Sequence, residues 1–228
     1  MRRALIVGAS RGIGLGLTRE HLARGWHVTA TVRRPSPELD ALIDEAGSRL
    51  VVDGVDITLP KEVSDLARRL EGQSFDLIFL NAGIMVSRGV PLVDVSDTDI
   101  ADIFMTNAIS PVRVADRLIG CAAKGATIAF MSSVLGSVST NDDGRAELYR
   151  ASKAALNSLL LSFRARHRDR DDVTVLAVHP GVVRTSMGGP GAPLDVGESV
   201  QGVADMLENR AGSGGAAFVD FRNRVIAW

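Results

Sequence analysis

Seven short apolar runs recur along the 228-residue chain, separated by longer segments whose apolar residues repeat with helical spacing. The runs are Ala4–Val7, Val28–Val32, Leu50–Val55, Phe75–Leu80, Ala126–Met131, Val173–Val178 and Ala216–Phe221. Several are apolar at consecutive positions, as in Leu77-Ile78-Phe79-Leu80, so both faces of the implied strand must be covered. Helices are expected over residues 12–24, 38–46, 61–70, 97–123, 145–168 and about 197–209. The first places Ile13, Leu17 and His21 on one stripe and stops at Gly25. This alternation predicts an α/β fold, a doubly wound parallel sheet of about seven strands with helices on both faces, because parallel strands need right-handed crossovers. The rhythm continues across the Gly- and Pro-rich stretches 186–193 and 211–215, so a single domain over residues 1–228 is expected.

Composition removes whole classes of function. Apolar residues at 46% and charged residues at 23% are globular values, and a net charge of −1 offers no electrostatic footprint for nucleic acid or an acidic membrane. No apolar run reaches the ~20 residues needed to span a bilayer. Arg2-Arg3 and the apolar residues after them mimic a leader, but Arg11 interrupts the run; a cytoplasmic protein is expected. The lone Cys121 cannot form an intrachain disulfide or a multi-cysteine zinc site. None of the histidines clusters with carboxylates, so no catalytic metal is expected.

Directly after the first run stands Gly8-Ala9-Ser10-Arg11-Gly12-Ile13-Gly14, opening the first helix. Phosphate binds backbone N–H groups at a helix N-terminus only where side chains leave room, so three glycines there point to a nucleotide. The spacing is G-x-x-x-G-x-G rather than the better-known G-x-G-x-x-G. The second strand ends Thr31-Val32-Arg33-Arg34, without the acidic residue that grips the adenosine ribose hydroxyls. Arg33, with Arg11 across the turn, can instead face a 2′-phosphate, which selects NADP(H).

Tyr149 is the only tyrosine, and one of only three lysines, Lys153, follows four residues later on the same helix face. A phenol of pKa near 10 is a poor proton shuttle at neutral pH, and a neighbouring ammonium is expected to draw that value down. Upstream, the fifth strand runs out into Met131-Ser132-Ser133, where ligands sit in open α/β sheets. Either serine could donate to a substrate carbonyl.

Gly8-x-x-x-Gly12-x-Gly14, Asn81-Ala82-Gly83, Asn107, Ser133, Tyr149-x-x-x-Lys153 and His179-Pro180-Gly181 resemble, in order and spacing, the short-chain dehydrogenase/reductase family over essentially the whole chain. Ser133–Ser137 and the stretch from His179 to Pro190 are similar to its C-factor- and sniffer-like branch of NADPH-dependent carbonyl reductases. The resemblance implies a Rossmann-type enzyme moving hydride between NADP(H) and a small-molecule aldehyde or ketone. Alternatives it leaves are secondary-alcohol dehydrogenation, 3-oxoacyl-type reduction, and a signalling or NADP-sensing role. Tyr149 is implied as general acid/base, Lys153 as ribose ligand, Ser133 rather than Ser132 as carbonyl donor, and Asn107 as holder of a relay water. Ser10, Arg11 and Ile13 are implied in the phosphate turn, Asp56 and Ile57 at adenine with Asp53 as rival, and Asn81, Ala82 and Gly83 beside adenosine. Pro180, Gly181, Val183 and Thr185 are implied near the carboxamide. The family also implies a homodimer or homotetramer built on helices 97–123 and 145–168. Val7 and Leu80 depart from the usual residues, and sixteen residues separate Ser133 from Tyr149, with Asn141-Asp142-Asp143-Gly144 as an extra turn at the substrate rim.

Overall fold

The apolar runs become strands buried from both sides. In the computed structural model, which describes residues 1–228, Leu5 and Val7 of the first strand enter one core cluster while Ala4 and Ile6 enter another. The elements run β1 (Arg3–Val7), α1 (Gly12–Ala23), β2 (His27–Val32), α2 (Pro37–Ala46), β3 (Leu50–Gly54), α3 (Pro60–Arg69) and β4 (Phe75–Leu80). They continue α4 (Asp97–Phe104), α5 (Ser110–Leu118), β5 (Ala122–Met131), α6 (Glu147–Arg166), β6 (Thr174–His179), α7 (Val196–Arg210) and β7 (Ala216–Asp220). All seven strands pair in parallel, in the order β3-β2-β1-β4-β5-β6-β7. Helices α3, α5 and α6 supply Leu66, Leu118 and Leu160 to one face, and α1, α2 and α7 supply Leu17, Leu39 and Val203 to the other. No helix is long and apolar enough to cross a membrane.

The order places a switch point between β1 and β4, where successive connections leave toward opposite edges and open a crevice at the strand C-termini. Backbone bonds knit its floor: Gly8 N and Ala9 N donate to Thr31 O, and Asn81 N and Ala82 N donate to Val7 O.

The expected helix over 97–123 is corrected. Instead, α4 passes into a π-helical turn, Met105–Ile109, before α5, and a 3₁₀ turn at Ile119–Cys121 delivers the chain to β5 at Ala122. Pro111 opens α5; it has no N–H to give the carbonyl four residues back, that of Asn107. The helix expected over 145–168 begins at Glu147, because Ala146 is left-handed at φ +58. Most remaining elements match their expected bounds within a residue or two.

Candidate active site

A cleft of about 680 Å³ lies at the switch point. Its floor is the turn from β1 into α1. Gly8 has φ +90, and a side chain there would drive its Cβ to 2.8 Å from the Ala82 backbone. Gly14 lies beneath the surface; a Cβ would fall 2.1 Å from Gly8 O and 2.6 Å from Asn81 Nδ2, which itself donates to Gly8 O at 2.7 Å. The first residues of α1 thus turn backbone N–H groups toward the cleft. No side chain caps this helix, whose N-cap is the extended Arg11. An uncapped helix N-terminus in a cleft fits an anionic group such as a pyrophosphate.

Fourteen of the residues expected to bind cofactor line this cleft: Gly8, Ser10, Arg11, Gly12, Ile13, Arg33, Asp56, Ile57, Asn81, Ala82, Gly83, Tyr149, Lys153 and Thr185. Arg33 is 60% exposed, with Nη1 3.9 Å from Asp56 Oδ2. Burial alone would raise the Asp56 carboxyl, but hydrogen bonds from the Thr58 hydroxyl and N–H, and the Arg33 charge, hold it below its ordinary range. Asp53 does not reach the cleft; its carboxylate is taken by Gly54 N and by Arg69 Nε at 2.8 Å. Of the two aspartates, only Asp56 lines the cleft.

Pro180, Gly181 and Val183 stand behind the wall. Pro180 O accepts from Ser199 Oγ at 2.7 Å, Val183 bridges to Leu194, and a Cβ on Gly181 would strike Leu194. These residues shape the segment that carries Thr185 into the cleft.

At the other end of the cleft, α6 projects Tyr149 and Lys153 across the end of β5. Lys153 is buried, and its Nζ donates to Met131 O at 2.8 Å and lies 5.7 Å from the Tyr149 ring centroid. Burial pulls the ammonium down to about 8. Tyr149 departs from expectation: burial pushes its phenol up to about 12, and a hydrogen bond with Ser133 only partly offsets this. Desolvation of the phenolate outweighs the Ser133 hydrogen bond.

The two serines separate clearly. Ser132 Oγ donates to Asn157 Oδ1 at 2.7 Å in the core, whereas Ser133 Oγ faces Tyr149 and accepts from Leu135 N. Asn107 is fully buried behind the cleft. Its amide is spent on Ile84 O, Ile84 N and Ser152 Oγ, so only its backbone carbonyl, left by Pro111, is free of an α-helical partner.

Several cleft residues escaped the sequence reading: Thr31, Met85, Val86, Arg88, Thr106, Met131, Ser186 and Met187. Thr31 and Met131 sit at strand C-termini, and the rule that ligands gather there marks them in retrospect. The loop residues carry no local signal.

A family model for short chain dehydrogenases matches residues 2–192. The C-signal protein of Myxococcus xanthus is 36% identical over 155 residues, 67% of this chain and 92% of that one. A short-chain dehydrogenase/reductase of Burkholderia multivorans, crystallised with bound NADP, superposes with a TM-score of 0.97 at 42% identity, covering 100% of this chain and 99% of that one. A carbonyl reductase of Pseudomonas aeruginosa PAO1 in complex with NADP gives a TM-score of 0.90 at 40% identity, with 100% of both chains covered. The chain belongs to the short-chain dehydrogenase family.

Proposed function

We propose that the protein reduces an aldehyde or ketone with NADPH, and that Tyr149 delivers the proton. The observation that carries this reading is the meeting, in one cleft, of an uncapped glycine-turn helix with the half-buried Tyr149 and the buried Lys153. The resemblance to a carbonyl reductase structure with NADP supports it. The reduced nicotinamide, when bound, supplies the hydride. The glycine turn and α1 would hold the pyrophosphate, Arg33 and Arg11 the 2′-phosphate, and Lys153 the nicotinamide ribose.

Ser133 and Tyr149 polarise the carbonyl oxygen together, and as negative charge develops there Tyr149 gives up its proton. A phenol at about 12 still donates downhill to an alkoxide, whose conjugate acid is a far weaker acid, close to water. Tyr149 regains its proton through Lys153 and a water held by the freed Asn107 carbonyl. Two-fold pairing through α5 and α6 completes the reading, and a 24.2 kDa particle in light scattering at micromolar concentration would contradict that pairing.

The deciding experiment follows NADPH oxidation over a panel of aldehydes, ketones and quinones, in wild type and Tyr149→Phe. Loss of the proton donor should lower kcat by roughly 10²–10⁴-fold while NADPH affinity persists. A variant retaining more than a tenth of wild-type turnover overturns the role of Tyr149.

A further inference from the structure

Arg88 stands in the loop after β4, flanked by two residues in the left-handed region, Ser87 at φ +48 and Gly89 at φ +75. A left-handed serine is unfavourable, and the surroundings hold it. Ser87 Oγ donates to Asp99 on α4, and Leu92 N donates to Glu147 Oε2 at 3.3 Å, two residues before Tyr149. This framework aims Arg88 into the cleft, where it is among the lining residues.

The guanidinium meets no carboxylate there. Its Nη2 donates to Met187 O across the cleft, and its Nε points at Met85 Sδ at 3.2 Å, so both partners are uncharged. A guanidinium carries five N–H donors, and the remaining ones are open to a ligand. The single acid lining the cleft, Asp56, follows β3 on the far side of the switch point and is engaged by Thr58 and Arg33. Arg11 and Arg33 belong to that far end as well; on the β4–β6 side the cations are Lys153, buried and donating to Met131 O, and the exposed Arg88. Met85, Val86 and Met187 surround it with apolar, adaptable wall.

We propose that Arg88 recognises a carboxylate on the substrate, so that the preferred carbonyl compound has an apolar body and an anionic end. This rests on the reductase reading above. A bidentate carboxylate would replace the Met187 carbonyl as its partner.

The test compares kcat/KM for 4-formylbenzoate and its neutral methyl ester, in wild type, Arg88→Met and Arg88→Lys. Wild type should favour the acid by roughly 10-fold, the worth of one partly solvated charge-assisted contact. The preference should shrink with salt, collapse toward unity in Arg88→Met through a rise in KM, and partly return in Arg88→Lys. Equal use of acid and ester by wild type, or a preference that survives Arg88→Met, overturns the proposal. So does a loss in Arg88→Met that falls equally on acid, ester and NADPH affinity, since Arg88 would then be a clasp over the cofactor. If no carbonyl is turned over at all, the reductase reading fails, and calorimetric binding of acid against ester to wild type and Arg88→Met still decides the anion site.

Discussion

Lys153 is held in the one place where its charge is least comfortable. Its ordinary value of 10.5 is drawn to about 8 by burial, a gap worth roughly 3 kcal/mol at about 1.4 kcal/mol for each pKa unit. The sign follows from which state binds the proton more readily. The folded protein resists charging Lys153, so the penalty is present below pH 8 and fades as pH rises toward 10.5. Lys153→Met should therefore stabilise the fold at pH 7, although Met131 O loses its donor at a cost of about 1–3 kcal/mol. The net of about 1 kcal/mol corresponds to a Tm rise of roughly 2–4 °C, with turnover abolished. Thermal melts at pH 7 and pH 10 check this: the gain should vanish at pH 10, and a lower Tm at pH 7 contradicts it. In wild type, kcat/KM should decline above about pH 8 as Lys153 discharges. The pair itself was legible because a lone tyrosine with a lysine at the next helical turn is improbable by composition. The phenol's upward shift was not, since burial depends on everything packed around it. Arg88 was equally invisible: its partner Met187 is 99 residues away in sequence.

At the scale of elements, the instructive departure is the segment read as one helix over 97–123. Apolar spacing through Ile103, Ala108, Val112 and Ala115 is helical on average and hides one residue of widening. Pro111 was the local clue, because a proline inside a helical pattern removes a specific hydrogen bond. The far end was overrun for a different reason. Ala122-Ala123-Lys124 has good helix propensity, yet Ala122 pairs with Phe75 and Gly125, at φ +73, donates to Asp172. The π turn matters because it is where Pro111 leaves the Asn107 carbonyl without an α-helical N–H partner. Pro111→Ala supplies the missing N–H and lets the helix reclaim that carbonyl. The expected outcome is a fall in kcat of about 10-fold, at the lower end of a proton-transfer contribution near 10²–10⁴, with NADPH affinity and Tm little changed. Steady-state kinetics beside a cofactor titration separate these quantities. Unaltered kcat would detach the π turn from the relay.

For the whole molecule, periodicity and the right-handed crossover rule yielded a parallel sheet, but they do not order its strands; that order is seen only in the structure. The order is what builds the cleft, because segments after β1, β2 and β3 meet segments after β4 and β6 there. A ligand filling it ties both halves of the sheet together, so cofactor should raise the stability of the entire fold. At 100 times its Kd a ligand adds about 2.7 kcal/mol, or roughly 5–10 °C in Tm for a domain of this size. The two cofactors should differ through Arg33 and Arg11, since NADH lacks the 2′-phosphate. A charge-assisted contact is worth about 1.5–3 kcal/mol, or roughly 10- to 150-fold in affinity. With Arg33 60% exposed, the lower end applies. At equal concentration NADPH should therefore shift the melt further than NADH. Arg33→Ala should remove most of that difference by weakening NADPH alone, and added salt should narrow it in wild type. Identical shifts for the two cofactors in wild type would mean that Arg33 solvates the rim of the cleft and reads nothing. In that case Asp56, whose charge Arg33 partly offsets at 3.9 Å, is the residue whose removal should change the discrimination.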